Sequence, residues 1–360
     1  MTALLMLVNG ALYDCLARRP RAAYSAAATA LIVGAALLFG AVRMHQIDVR
    51  IAHAPRLNVG LVQPNFAYSA DGEFSREEAL RELAVLQDES RRLQEAGAQL
   101  VVWSEGSYPV ALPRDFADDF PADSPAMIRR GFDLPVILGA NTVGAGPDEV
   151  FNTALLLDAG GRAAGRYDKV QLMAFGEYMP GIEIFPWLKN LTPAGSDRFK
   201  AGSGPRIMSL RAPDGTPWRL GPLICYEDLL PGVIRGVGKL RPDLLVNLTS
   251  DSWFGAHSEP WQHLALSVFS TIELRVPLVR SVNSGVSASI DANGRLLYRT
   301  YANDPYRDPR AADGLLVTVP KMAGGDTVFV AWGDWFAYAC ALLLLALGLH
   351  GRVAPARNRG

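Results

Sequence analysis

The sequence predicts an α/β domain held between two membrane-spanning helices. Three observations predict it. Short apolar runs alternate with amphipathic helical segments through the middle of the chain. A long, almost uncharged run lies towards each end. The arginines flanking the two runs agree on one topology.

Taken in order, residues 1–17 are apolar but too short to span a bilayer, and they lack the positive start of a cleavable signal. They read as the tail of a preceding helix or as a short interfacial segment. Leu12, Tyr13 and Asp14 are not the small side chains expected ahead of a lipidated Cys15. Residues 22–42 carry no charge over about 21 positions, the length of a spanning helix. Residues 328–349 form a second run of about 22 positions. It holds one acid, Asp334, and Trp332, Trp335, Phe336 and Tyr338 sit at its start as an interfacial belt would. The ordinary alternative for either run is a buried core helix. Arg18, Arg19 and Arg21 precede the first run, and Arg352, Arg357 and Arg359 follow the second. Both clusters belong on the cytoplasmic side, which leaves residues 43–327 as a domain on the opposite face. The expected organisation is a short N-terminal segment with a basic flank (1–21), a span (22–42), the folded domain (43–327), a span (328–349) and a basic tail (350–360).

Within the domain, strands are expected at 57–62, 100–103, 135–139, 154–157, 218–224, 243–248 and 277–282, and helices over 73–96, 226–237 and 259–275. Residues 285–290 and 295–298 read as a hairpin turning at Ala292-Asn293-Gly294. The Gly/Pro-rich stretches 144–147 and 193–205 read as surface loops.

Composition excludes some functions. A net charge of −1 and the absence of a basic, aromatic-studded stripe argue against a nucleic-acid partner. Of three cysteines, Cys15 and Cys340 lie in or beside the apolar runs, so Cys225 stands alone in the domain. An unpaired thiol in an exported domain is a liability unless it has a task or is simply a small buried hydrophobe. Cys225 ends an apolar strand and opens a helix, where N–H groups favour a thiolate. A partner base is still required. One candidate is a dyad with His263, which lies with His257 in an aromatic-rich stretch. The two histidines are wrongly spaced for helical zinc ligands, so no metal is expected, and no cofactor either. The other candidate is a carboxylate with a lysine. Glu105 follows a strand, while Lys169 and Glu177 lie close together in YDKVQLMAFGEYMP. Singly, these three read equally well as a helix cap, a solvated charge and a loop salt-bridge partner.

Together the motifs carry more. WSEG (103–106), YDKVQLMAFGEYMP (167–180) and ICYED (224–228) resemble the nitrilase, or carbon–nitrogen hydrolase, superfamily, with Glu, Lys and Cys in that chain order. FGEYMP, NLTSDSWFGAHSEPWQH (247–263) and IELRVPLVRSVNSGVSASI (272–290) resemble its apolipoprotein N-acyltransferase branch. The resemblance runs from about residue 57 to residue 319.

The resemblance implies an α-β-β-α sandwich of two packed sheets flanked by transmembrane helices. It implies Cys225 as nucleophile, Glu105 as general base and then acid, and Lys169 as oxyanion stabiliser. Glu177 would orient Lys169 or assist proton transfer, Glu227 matches another acidic position of the branch, Tyr226 is structural support, and Asp228 has no firm role. The implied reaction moves an acyl chain from a membrane phospholipid, through a Cys225 thioester, to the N-terminal amine of a diacylglyceryl-cysteine lipoprotein. The implied location is a bacterial inner membrane, multi-pass, with the catalytic domain facing the periplasm. Holding a thioester away from water calls for an apolar lid, for which Met173, Phe175, Met179, Phe185, Trp187 and Leu188 are candidates. Core packing explains the same residues. The branch carries about eight spanning helices where this chain has roughly two, so the chain reads as N-terminally short. Two other readings stand beside this one: a membrane-anchored amidase in which water accepts the acyl group, and an inactive scaffold.

Overall fold

A computed structural model describes every residue except 1, 67–74, 147–148, 183, 186, 188–198, 253–257, 301–312 and 354–360, with backbone alone for 349–353. The chain forms two units, Met1–His53 and Ala54–Gly360.

The first unit contains α1 (Thr2–Leu16) and α2 (Ala22–His53), which pack on one another. Arg18 takes a left-handed conformation (φ 49°) as α1 ends, and Arg19 N–H returns to Asp14 O at 2.9 Å, an αL helix stop. Helix α2 is 32 residues long and extends past the expected end at residue 42 through a charged final stretch. It is the one helix among the described residues long and apolar enough to cross a membrane.

The second unit begins with β1 (Arg56–Gln63), α3 (Arg76–Glu95), β2 (Leu100–Val102), β3 (Leu112–Pro113), β4 (Val136–Val143), β5 (Val150–Leu157) and β6 (Ala163–Asp168). It continues with β7 (Met208–Arg211), β8 (Pro217–Ile224), a 3-10 turn (Cys225–Leu229), α4 (Pro231–Lys239), β9 (Leu244–Thr249) and α5 (Glu259–Leu274). The chain closes with β10 (Leu278–Val282), β11 (Ala288–Ile290), β12 (Leu296–Arg299), β13 (Asp313–Pro320), α6 (Val328–Trp332) and α7 (Trp335–Val353).

The strands make two sheets. One has the order β13-β1-β2-β4-β5-β6, with β3 beside β4; the other has the order β12-β11-β10-β9-β8-β7. Each is built around three parallel strands, β1-β2-β4 in the first and β10-β9-β8 in the second. Alternation of side chains makes the sandwich. Leu57, Val59 and Leu61 face inward with Trp218, Leu220, Ile224, Leu244, Val246 and Leu248 of the other sheet. The opposite faces are covered by helices: α3 packs Leu83, Leu86 and Leu93 against Val101 and Leu138, while α4 and α5 pack Ile234, Val237, Leu264 and Leu274 against Leu223 and Leu245. This is the α-β-β-α sandwich expected. A lace of polar contacts fixes the two sheets where their parallel strands end. Ser281 Oγ lies 2.9 Å from the carbonyl oxygens of both Val62 and Val102, and the Asn283 amide brackets the backbone of Phe66.

The apolar run at 328–349 is divided. Thr327 caps the five-residue α6, and Gly333 (φ 59°) ends it before α7 starts at Trp335. Arg235 takes the freed carbonyls of Val330 and Ala331, both at 3.0 Å, and Val330 is buried beside Ile234 and Val237. Residues 328–332 therefore belong to the folded domain. The apolar helix beyond them is shorter than the sequence alone suggested, with 335–348 its apolar described part.

Candidate active site

Strand β8 ends at Ile224, and Cys225 immediately adopts φ 56°. A non-glycine residue in this region stores about 1–3 kcal/mol of backbone strain. Here the strain turns the chain sharply from strand into the 3-10 turn and leaves Cys225 only partly exposed at the strand end. Asn247 Nδ2 donates to Cys225 O at 2.8 Å and holds the turn. The expected helix over 226–237 is thus two elements, a 3-10 turn and then α4.

Glu105 occupies the turn after β2 in the facing sheet. Gly139 on neighbouring β4 makes room for it, since a Cβ there would lie 2.7 Å from Glu105 Cα and 2.6 Å from Gly106 N. Lys169 follows β6, is 2% exposed, and donates its own N–H to Asn152 O at 2.8 Å. Its Nζ donates to Glu177 Oε1 at 2.9 Å and to Glu105 Oε1 at 3.2 Å. Asn152 Nδ2 lies between the same two oxygens, 2.7 Å from Glu105 and 3.0 Å from Glu177. The remaining Glu177 oxygen accepts from Met173 N at 2.8 Å, tying the following loop to the site.

One ammonium thus serves two carboxylates. Burial pushes the Glu105 carboxyl above its usual range and the Glu177 charge adds to this, against the pull of Lys169. Burial alone would lower Lys169, yet Glu105 and the neighbouring groups outweigh it and hold the lysine charged. Burial and the Glu105 charge raise the Cys225 thiol well above the ordinary 9.0, with Lys169 opposing. The N–H of Tyr226 favours the thiolate but is outweighed. The N–H at the helix start therefore acts in the expected direction, and a partner base is still required, as the sequence implies.

Glu227 is fully buried and accepts four hydrogen bonds. Val170 N and Gln171 N reach one oxygen at 2.8 and 3.0 Å; Tyr167 OH and Ile224 N reach the other at 2.7 and 2.9 Å. It therefore rivets the stretch after Lys169 to the Cys225 turn. Tyr226 adds a second rivet through its hydroxyl to Leu172 O at 2.9 Å, with its ring 5.6 Å from Lys169 Nζ.

His263 does not provide the base for a dyad. Both ring nitrogens are engaged, Nε2 with Asp228 at 3.1 Å and Nδ1 with Asp251 at 3.0 Å. His257 lies outside the described residues. Asp251, Glu259 and His263 present atoms within 4.8 Å of one another, as metal ligands do. Arg280 already donates to Asp251 Oδ2 at 3.1 Å, so a cation there would face a guanidinium. Of the lid candidates, Phe175 (66% exposed), Phe185 and Trp187 are exposed and Met179 is buried; Leu188 lies outside the described residues.

Sequence reasoning missed Asn152 and Gly139. The signal for Asn152 was an amide inside the otherwise apolar strand FNTALLL; nothing in the sequence marks Gly139 apart from other strand glycines.

An α-β-β-α sandwich with a glutamate, a lysine and a strained cysteine at the ends of its strands defines a nitrilase-type enzyme. The family model described as "Carbon-nitrogen hydrolase" matches residues 58–304, and the chain belongs to that family. The fold is similar to a solved amidase from Nesterenkonia sp., with a TM-score of 0.52, 19% identity, and 78% of this chain and 96% of that one covered. Among curated proteins, the chain is 36% identical over 266 residues to an apolipoprotein N-acyltransferase of Bdellovibrio bacteriovorus, covering 72% of this chain and 47% of that protein. It is 31% identical over 343 residues to one of Bradyrhizobium diazoefficiens, covering 91% and 59%. The chain therefore spans roughly half to three-fifths of the length of these two relatives.

Proposed function

We propose that the protein transfers a fatty acyl chain from a membrane phospholipid to the N-terminal amine of a diacylglyceryl-cysteine lipoprotein, with Glu105, Lys169 and Cys225 as the catalytic set. The observation that carries this reading is the shared hydrogen-bonding of Lys169 with Glu105 and Glu177, at 3.2 and 2.9 Å, next to a cysteine held in a left-handed turn. The names of the similar curated proteins support the same reading.

In the first half-reaction Cys225 Sγ attacks the ester carbonyl carbon while Glu105 takes the thiol proton. The ammonium of Lys169 faces the oxyanion that develops. Collapse breaks the carbon–oxygen bond, Glu105 returns the proton to the departing alkoxide, and a lysophospholipid leaves a thioester behind. In the second, the lipoprotein amine attacks the thioester and gives its proton to Glu105. The carbon–sulfur bond breaks as the amide forms, and the sulfur recovers the proton. Glu177 and Asn152 hold Lys169 and Glu105 in place through both halves. Glu227 and Tyr226 fix the loop between them.

The membrane supplies both substrates, so an anchor on the domain raises their effective concentration. Helix α2 provides one anchor and α7 a second, with Arg18, Arg19 and Arg21 on the cytoplasmic side of a bacterial inner membrane and the catalytic domain facing the periplasm. The exposed Phe175, Phe185 and Trp187, in the loop that Glu177 ties to the site, suit an acyl chain or a lipid surface.

The test is a chase. Protein in phospholipid nanodiscs carrying an acyl-labelled donor is given a synthetic diacylglyceryl peptide. Label moving to the peptide amine is the expected result. Label lost to water at an unchanged rate would instead make the protein a hydrolase.

A further inference from the structure

Asp228 lies three residues after Cys225 on the same 3-10 turn and is 1% exposed. Arg280 Nη1 donates to its Oδ2 at 3.0 Å, Ser267 Oγ donates to the same oxygen at 2.7 Å, and His263 Nε2 faces its Oδ1 at 3.1 Å. The other ends of His263 and Arg280 meet on Asp251, at 3.0 and 3.1 Å. The four side chains form a closed ring.

Both nitrogens of His263 point at carboxylate oxygens, an arrangement that needs a proton on each. Burial would drive the imidazolium down, and Arg280 pushes the same way, but the two aspartates outweigh both and raise its pKa. The ring then holds two cations and two anions. It joins the turn after β8, the loop after β9, helix α5 and strand β10, all beneath the Cys225 elbow. Arg280 Nε, and Thr249 Oγ1 on neighbouring β9, are buried without partners among the described residues.

Stability alone does not account for such a cluster. Buried ion pairs barely repay their desolvation, and apolar replacements of equal volume are commonly as stable or more so. What the ring does supply is geometry. A left-handed Cys225 relaxes unless its surroundings over-determine it. Asn247 fixes the carbonyl of Cys225, Glu227 holds Ile224 N just before it together with Val170 N of the loop after Lys169, and Asp228 fixes the far end of the turn.

We propose that Asp228, Asp251, Arg280 and His263 are positioning residues for the nucleophile: their closed ring clamps the turn so that Cys225 keeps its strained conformation beside Glu105 and Lys169. The proposal rests on Cys225 being the nucleophile.

The test uses the full chain in phospholipid nanodiscs. The double variant Asp228→Leu/Arg280→Leu removes one cation and one anion and leaves the His263–Asp251 pair. Its thermal unfolding, its rate of Cys225 acylation, and its kcat and KM are compared with wild type. The expected result is a wild-type unfolding temperature with kcat lowered by about 10²-fold and KM unchanged, the size of loss that a misplaced reacting group produces. Arg280→Lys, which can reach only one aspartate, should fall between. An unchanged kcat in the double variant overturns the proposal and leaves the ring a packing feature. If the double variant does not fold, Ser267→Ala takes its place, since it deletes one bond to Asp228 without a charge. A several-fold drop in kcat is then expected, and no drop overturns the proposal. Wild-type protein that forms no Cys225 thioester contradicts the nucleophile assignment itself; equal thioester formation in wild type and double variant contradicts only the clamp.

Discussion

Lys169 sits closer to Glu177 than to Glu105, 2.9 Å against 3.2 Å, so one buried ammonium is shared unequally between two carboxylates. Glu177→Gln removes the nearer charge and leaves Glu105 as the sole anion for Lys169. Glu105 should become a weaker base. Acylation of Cys225 should slow by about 10²-fold, within the range for impaired general-base catalysis, and stopped-flow thioester formation would measure it.

Removing the ammonium acts in the opposite electrostatic sense. In Lys169→Met two carboxylates share one polar site without a cation, so one of them holds a proton near neutrality. Loss of the oxyanion partner should cost about 10²–10³-fold in kcat. The remaining activity should need higher pH than wild type does.

The pH profile of the wild type follows from Glu105. In the proposed mechanism its base form is the active one, and burial with the Glu177 charge raises its pKa above the ordinary 4.5. Acylation should therefore fail, as pH drops, at values above 4.5 rather than at them. The Cys225 thiol is raised above 9.0, so iodoacetamide labelling of Cys225 in the wild type should still be climbing at pH 9.0, and Glu105→Gln, which removes one cause of the rise, should bring labelling to lower pH. A plateau near neutrality in the wild type would mean a preformed thiolate.

The buried ring around His263 gives stability a pH dependence of its own. His263 is raised above 6.5, so its contribution is complete below 6.5 and is lost as pH rises through its folded-state pKa. Burial would raise Asp228, but Arg280 and His263 win and lower it below 3.8. Its contribution is present above 3.8 and lost as pH falls through that lowered value. In His263→Gln the alkaline loss in a melting-temperature profile should vanish.

Glu227→Gln should be mainly a stability variant. All four groups around the carboxylate are donors, so an amide nitrogen placed among them leaves at least one donor unpaired, at about 1–3 kcal/mol. Calorimetry should register a lower melting temperature, and the loop after Lys169 should become open to proteolysis. An unaltered melting temperature would mean that the four bonds are replaceable by water.

Much of this was legible in the sequence for a physical reason. Glu105 and Cys225 each stand where an apolar strand gives way to polar residues, a boundary read from neighbours in the chain, whereas Lys169 was legible only through the motif that holds it. The apolar runs at 57–62, 218–224 and 243–248 disclosed the strands that carry the core. What stayed hidden depends on distant partners. AAGRYD, which is β6, has no apolar alternation and is a strand because β5 pairs with it. The ring joins Asp228 to Arg280 across 52 positions, so Asp228 looked incidental. The division of the last apolar run had a local sign, Gly333 followed by Asp334, a helix stop and then a polar helix start, but length and hydrophobicity masked it.

The most direct test of the central claim is the intact mass of the purified protein after incubation with phospholipid and no acceptor. The account predicts a gain of one acyl chain, released by hydroxylamine, mapped to Cys225 and absent from Cys225→Ala. An unchanged mass, or an acyl gain that persists in Cys225→Ala, would contradict it.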